Sequence, residues 1–129
     1  MKVMVCYDET KNTRILEVAK QHAKAFDADV FVAHVMVGSD VDQLDDLDEA
    51  KQNIESAQQY LQDADIQTET KLMFAEQNAG DSLLGCANEK EIDAIIVSIR
   101  KKSKVQKLIF GSTVQQVILE AECPVIIAK

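Results

Sequence analysis

A doubly wound α/β fold, with a five-stranded parallel sheet and helices on both faces, is what this sequence predicts, and three observations predict it. Five short apolar runs alternate with segments of helical period. Several runs are continuous rather than alternating, as in Val30-Phe31-Val32-Ala33, which suits strands covered on both faces, as a parallel sheet requires. The segments follow one another as β-α-β-α-β-α-β-α-β, with no internal repeat, low-complexity tract or linker. Residues 1–129 are therefore expected to form a single domain.

Taken in order, residues 3–6 make the first strand. In 13–26, Ile15, Leu16, Ala19, Ala23 and Phe26 form one helical stripe. Residues 30–37 make the second strand. In 41–64, Leu44, Leu47, Ile54, Ala57 and Leu61 recur at helical spacing. Six of the ten residues 40–49 are acidic, a charge favoured at the N-terminal end of a helix dipole. They lack the Gly and terminal Glu of a calcium loop, so a solvated helix start or a mobile loop is expected. The third strand spans roughly 68–74, and a helix from about 81 to 90 turns Leu83, Leu84 and Ala87 inward. Residues 94–97 are the fourth strand. Ser112-Thr113-Val114-Gln115 has the form of a capping box, Ser112 capping the fourth helix and Gln115 reaching back. Val114, Val117, Ile118 and Ala121 are its buried stripe, Pro124 prevents its continuation, and 125–128 form the last strand.

Composition excludes several classes. Of 129 residues, 47% are apolar, 28% are charged and only five are Gly or Pro, which rules out a disordered or collagen-like chain. No apolar run reaches the roughly 18–20 residues of a membrane span. The N-terminus meets Asp8-Glu9 too soon for a signal peptide, so a cytoplasmic location is expected. A net charge of −8 repels nucleic-acid phosphates over most of the surface. The cations are unevenly spread: Arg100, Lys101, Lys102, Lys104 and Lys107 place five of fourteen in eight residues. Such an island suggests a small anion site, against the plainer reading of a solvated basic loop. Cys6, Cys86 and Cys123 are odd in number, lack any CxxC and lie in apolar stretches, so buried inert thiols are expected. His22 and His34 have no zinc spacing and are expected to be structural.

Open parallel sheets bind ligands at the carboxyl ends of their strands, where the strand order reverses. Two segments fall there. One is Tyr7-Asp8-Glu9-Thr10; the other is the connection 98–110, which ends in Gly111-Ser112 at a helix N-terminus. That terminus offers unpaired N–H groups and the positive end of a dipole. Gly111 admits close approach of an anion, and Ser112 and Thr113 add hydroxyls. Composition and position thus agree on a phosphate site. Familiar alternatives fail: the four glycines, Gly38, Gly80, Gly85 and Gly111, cannot make GxGxxG. Gly80 and Gly85 have Walker A spacing but are followed by Cys86-Ala87 instead of Lys-Ser/Thr. No GxSxG is present. Aromatics at 5% and no Trp argue against a flavin site. A response-regulator receiver would need Asp where Met73-Phe74-Ala75 ends the third strand.

Asp8 after the first strand, His34-Val35 in the second, and Gly111-Ser112 followed by Cys123-Pro124-Val125-Ile126-Ile127 resemble the universal stress protein family over essentially the whole chain. The resemblance implies an adenine nucleotide alpha hydrolase-like fold. ATP-binding members carry Gly-x-x-Gly, nine residues, then Gly-Ser or Gly-Thr; counting back from Gly111 puts Ser98 and Lys101 at the first two glycines. By resemblance, Asp8 would contact the adenosine part, the Val35 backbone would meet adenine, and Gly111, Ser112 and Thr113 would hold phosphates. A side chain at Lys101 could obstruct the phosphates or meet one as a point charge, and both accounts stay open. The resemblance also implies a homodimer through Val125, Ile126 and Ile127, whose strand ends the chain and is expected at a sheet edge. Two functions follow: a regulatory stress protein binding ATP, with or without magnesium, or a dimeric interaction module without nucleotide. An ATPase is a distant third, since no convincing base is evident, and neither nucleic acid nor membrane is an expected partner.

Overall fold

The computed structural model describes residues 1–7, 13–38, 44–101, 108–109 and 111–129. In chain order the elements are β1 (Lys2–Cys6), α1 (Arg14–Phe26), β2 (Asp29–Val37), α2 (Leu44–Asp63), β3 (Thr68–Ala75), α3 (Ala79–Glu89) and β4 (Ala94–Ser98). Then come β5 (Arg100–Lys101), β6 (Leu108–Ile109), α4 (Ser112–Glu120) and β7 (Val125–Ala128). Five strands form one parallel sheet in the order β3-β2-β1-β4-β7. The doubly wound fold is as expected, and β7 is an edge strand as its position in the chain indicated.

The continuous apolar runs serve two cores. Successive residues of a strand face opposite sides, so Val3 and Val5 pack with α1 and α2 while Met4 packs with α3 and α4. On the first face Ile15, Leu16, Ala19 and Ala23 of α1 meet Ala57 and Leu61 of α2 over Val30, Val32 and Ile96. On the second, Leu83, Cys86 and Ala87 of α3 and Val117 of α4 cover Phe31, Ala33, Ile95 and Val97. Burying a Leu or Ile side chain contributes about 1.5–3 kcal/mol, and this two-sided burial is what makes the sheet the rigid base of the molecule.

Several expectations are corrected. Phe26 leaves the α1 stripe and is exposed beside the His22 ring, at the last helical position, where the chain turns away through left-handed Asp27. Helix α3 begins at Ala79, earlier than expected, because the Asn78 side chain accepts the Asp81 N–H and caps it there. Ser112 does not cap α4. It is the first helical residue; Gly111, extended at φ −64° and ψ 160°, takes the cap position and no side-chain hydrogen bond closes the helix. Of the expected α4 stripe only Val117 is buried, while Val114 and Ala121 are partly buried against the same core. Only Cys86 among the three thiols is buried; Cys6 and Cys123 are half-buried at strand and helix ends. The connection after β4 contains a short antiparallel hairpin, Arg100 opposite Ile109 and Lys101 opposite Leu108, which apolar patterning over two-residue strands could not reveal. The expected helix start at 41–43 lies outside the described residues.

Candidate functional site

The strand order reverses between β1 and β4: from β1 the chain builds outward to β2 and β3, then returns to β4 and β7 on the other side. Connections leaving β1 and β4 at their carboxyl ends go to opposite faces, and the divergence opens a cleft. The cleft has a volume of about 530 Å³, within the usual range for a small-molecule site. Cys6 and Tyr7 line it at the end of β1, and Ala33, His34, Val35 and Val37 from β2. Val97, Ser98 and Ile99 line it from the end of β4, and Leu83 from α3. Its mouth is formed by Gly111, Ser112, Thr113 and Val114 at the start of α4.

Two helix N-termini reach this cleft and they differ electrostatically. That of α3 is closed: Asn78 holds the Asp81 N–H at 3.1 Å, and the Asp81 carboxylate sits in the first turn. Asp81 in turn accepts a hydrogen bond from Gln116 Nε2 at 2.6 Å, tying α3 to α4. That of α4 has no capping side chain among the described residues and no acidic residue in its first turn. The first N–H groups of a helix have no partner within it, and no carboxylate of its own first turn opposes the dipole there. Of the two, α4 is the one prepared for an anion.

The expected site residues fall out as follows. Val35, Ser98, Gly111, Ser112 and Thr113 meet in the one cleft. Asp8, Lys102, Lys104 and Lys107 lie outside the described residues. Lys101 is on β5, just beyond the exit of β4. Neither Ser98 nor Lys101 needs the left-handed backbone that only glycine takes readily; outside glycine, positive φ among the described residues occurs at Asp27, Asp65 and Glu91. Ser98 continues the ladder opposite Ala128 and is buried. A Cβ built on Gly111 would meet no atom of the described residues within 4 Å, so their packing does not demand glycine there. The open space lies beside the first α4 amides.

Sequence reasoning missed Leu83 and Ala79, which α3 brings to the cleft; the spacing of Leu83 signals only a core residue. It also undervalued His34. The imidazole is buried and its Nδ1–H donates to the Tyr7 carbonyl at 2.7 Å, where β1 ends. Burial pushes the thiols of Cys86 and Cys123 up, and neither lines the cleft. Among the described residues no group of three or more His, Cys, Asp or Glu side chains could hold a metal. The described lining supplies apolar walls, amides and hydroxyls: it can bind and orient an anion joined to a flat apolar group.

A model of the universal stress protein family matches residues 1–129. Among solved structures, a universal stress protein from Archaeoglobus fulgidus is 31% identical with a TM-score of 0.87, over 100% of this chain and 98% of that one. A structure of the universal stress protein from Archaeoglobus fulgidus in complex with dAMP is 27% identical with a TM-score of 0.82, over 100% and 98%. The UspA protein of Lactobacillus plantarum, 18% identical with a TM-score of 0.81 over 100% and 97%, shares the fold. No curated protein sequence matches the chain significantly.

Proposed function

The chain belongs to the universal stress protein family, and on that premise we propose that it is a regulatory adenine-nucleotide-binding protein without a catalytic group of its own. The observation that carries the reading is the uncapped α4 N-terminus opening into the same cleft as Val35. Phosphate oxygens would sit on the amides from Gly111 to Thr113, with the two hydroxyls adding donors. The base would enter the apolar depth between Val35, Ala33 and Val97, and Asp8 would reach the ribose side. Similarity to a dAMP complex at 27% identity supports an adenine nucleotide. ATP, with or without magnesium, is the finer proposal: Lys101 and the neighbouring cations would answer a longer phosphate chain. Equilibrium dialysis against AMP, ADP and ATP, with and without magnesium, tests it. Tighter binding of ATP than of AMP is expected, and no binding of any of the three at millimolar concentration would refute it.

A second reading is favoured by two exposed apolar side chains: Leu119 on α4 is 81% exposed, and Ile127 on the edge strand β7 is 39% exposed. An apolar flank beside an open strand edge suits pairing with a second copy about a two-fold axis. We propose a homodimer through Val125, Ile126 and Ile127, compatible with nucleotide binding. Light scattering should give twice 14.3 kDa. A dimer lacking nucleotide affinity would mark an interaction module.

A further inference from the structure

We propose that His34 is a positioning residue for the cleft: its imidazole diverts the Tyr7 carbonyl from the β1–β2 ladder and so leaves the Val35 N–H to the base of a bound ligand. The inference rests on the adenine-nucleotide reading of the cleft. It begins from the direction in which the β2 backbone faces. Asp29 N–H donates to Met1 O on the β1 side at 3.0 Å, whereas Val30 N–H donates to Gln67 O on the β3 side at 2.9 Å. Every second residue from Asp29 therefore faces β1, and Val35 is one of them.

The paired register of β1 and β2 ends at Cys6 opposite Ala33. Tyr7 N–H still donates to Ala33 O at 2.8 Å. In a parallel ladder each residue bonds the two residues flanking its partner, so the Tyr7 carbonyl would next accept the Val35 N–H. It accepts His34 Nδ1–H at 2.7 Å, and the register goes no further. Since a carbonyl can only accept, Nδ1 carries the proton.

Packing does not explain a histidine here. The residue is 6% exposed, and its other ring nitrogen, Nε2, is buried without a hydrogen-bond partner among the described residues. An unpaired buried polar atom is unfavourable. An apolar residue of similar size would avoid it and let the ladder run one rung further. A carbonyl oxygen has two lone pairs, so the histidine acts by drawing the Tyr7 oxygen off the line to the Val35 N–H, and so frees one donor at the wall of the cleft. Alternation along β2 puts Ala33 and Val35 with the α3–α4 core and places the His34 side chain on the opposite face. Although it is among the residues that line the cleft, it acts on the ligand through Tyr7 and Val35.

Three variants test this. In His34→Asn the amide nitrogen can occupy the Nδ1 position and keep the bond. In His34→Leu the donor is gone, and in His34→Gln the amide nitrogen falls near the Nε2 position instead. Val35 amide exchange is followed by NMR in the free protein, and AMP and ATP are titrated calorimetrically. His34→Leu should slow Val35 exchange by about tenfold as the ladder takes the amide, and should weaken nucleotide binding by about tenfold through the lost donor. His34→Asn should keep both within about threefold. Should His34→Leu not fold, His34→Gln replaces it with the same expectations. Unchanged Val35 exchange in the donor-free variant, or an Asn variant as impaired as it, would overturn the assignment. Absence of binding by the wild type refutes the nucleotide reading instead, and the exchange measurement alone then decides the role of His34.

Discussion

Replacing Gly111 by alanine separates what the fold needs from what a bound phosphate needs. For the fold, the added Cβ meets no atom of the described residues within 4 Å and the backbone, at φ −64° and ψ 160°, is open to any residue. Two small terms oppose each other. Alanine restricts the unfolded chain and stabilises by about 0.4–1 kcal/mol where its backbone is compatible. Alanine is also a poorer helix N-cap than glycine, by an amount on the order of 0.5–1 kcal/mol. They nearly cancel, so the midpoint and slope of urea unfolding should hardly move. For binding, the methyl group occupies the open space beside the first amides of α4. A charge-assisted hydrogen bond there is worth roughly 1.5–3 kcal/mol, so affinity for ATP should fall by about ten- to a hundredfold. Unfolding in urea and calorimetric titration of the same preparation provide the comparison. If stability drops by more than about 2 kcal/mol, the open-space argument is wrong, because such losses need a clash or a broken network. If both stability and affinity are unchanged, the phosphates do not lie against Gly111.

Lys101→Gly should weaken ATP binding by about twofold to fivefold and flatten its dependence on salt, as removal of a partly screened cation does. The β5 backbone at Lys101 needs no glycine, so tighter binding would revive the obstruction account. Ile127→Lys places a charge on the open edge of the sheet and should yield a folded species of 14.3 kDa by light scattering; a variant that still dimerises would exclude β7 as the interface. Burial raises the Cys86 and Cys123 thiols above their ordinary value of 9.0, so the unfolded chain ionises them first. Their contribution to stability is whole below pH 9.0 and is lost as pH rises toward the folded values, with a slope of up to about 1.4 kcal/mol per unit and thiol. Urea unfolding at stepped alkaline pH should show that decline in the wild type and less of it in a Cys86→Ala, Cys123→Ala variant; equal curves would refute the cause given.

What the sequence determined by itself is the two-faced sheet and its helices, because apolar periodicity is local information. Val3, Met4 and Val5 are all apolar since both faces of β1 are covered, and that requirement is written residue by residue. The place of the cleft was legible too: a parallel sheet that reverses its order leaves a crevice at its carboxyl ends, and Gly111-Ser112 marks a helix start there. Tertiary structure alone decided which groups that crevice presents. Whether Ser112 caps α4 or lies inside it depends on the backbone of Gly111, and no capping pattern in the chain distinguishes the two. The α3 terminus is closed by Asn78 and braced through Gln116 from another helix, thirty-five residues beyond Asp81. His34 and Tyr7 stand twenty-seven residues apart, and only the register of two strands makes one the partner of the other. Periodicity records which side of an element meets solvent; it carries no record of which carbonyl takes which donor, since that is settled by distances between segments the sequence does not order in space.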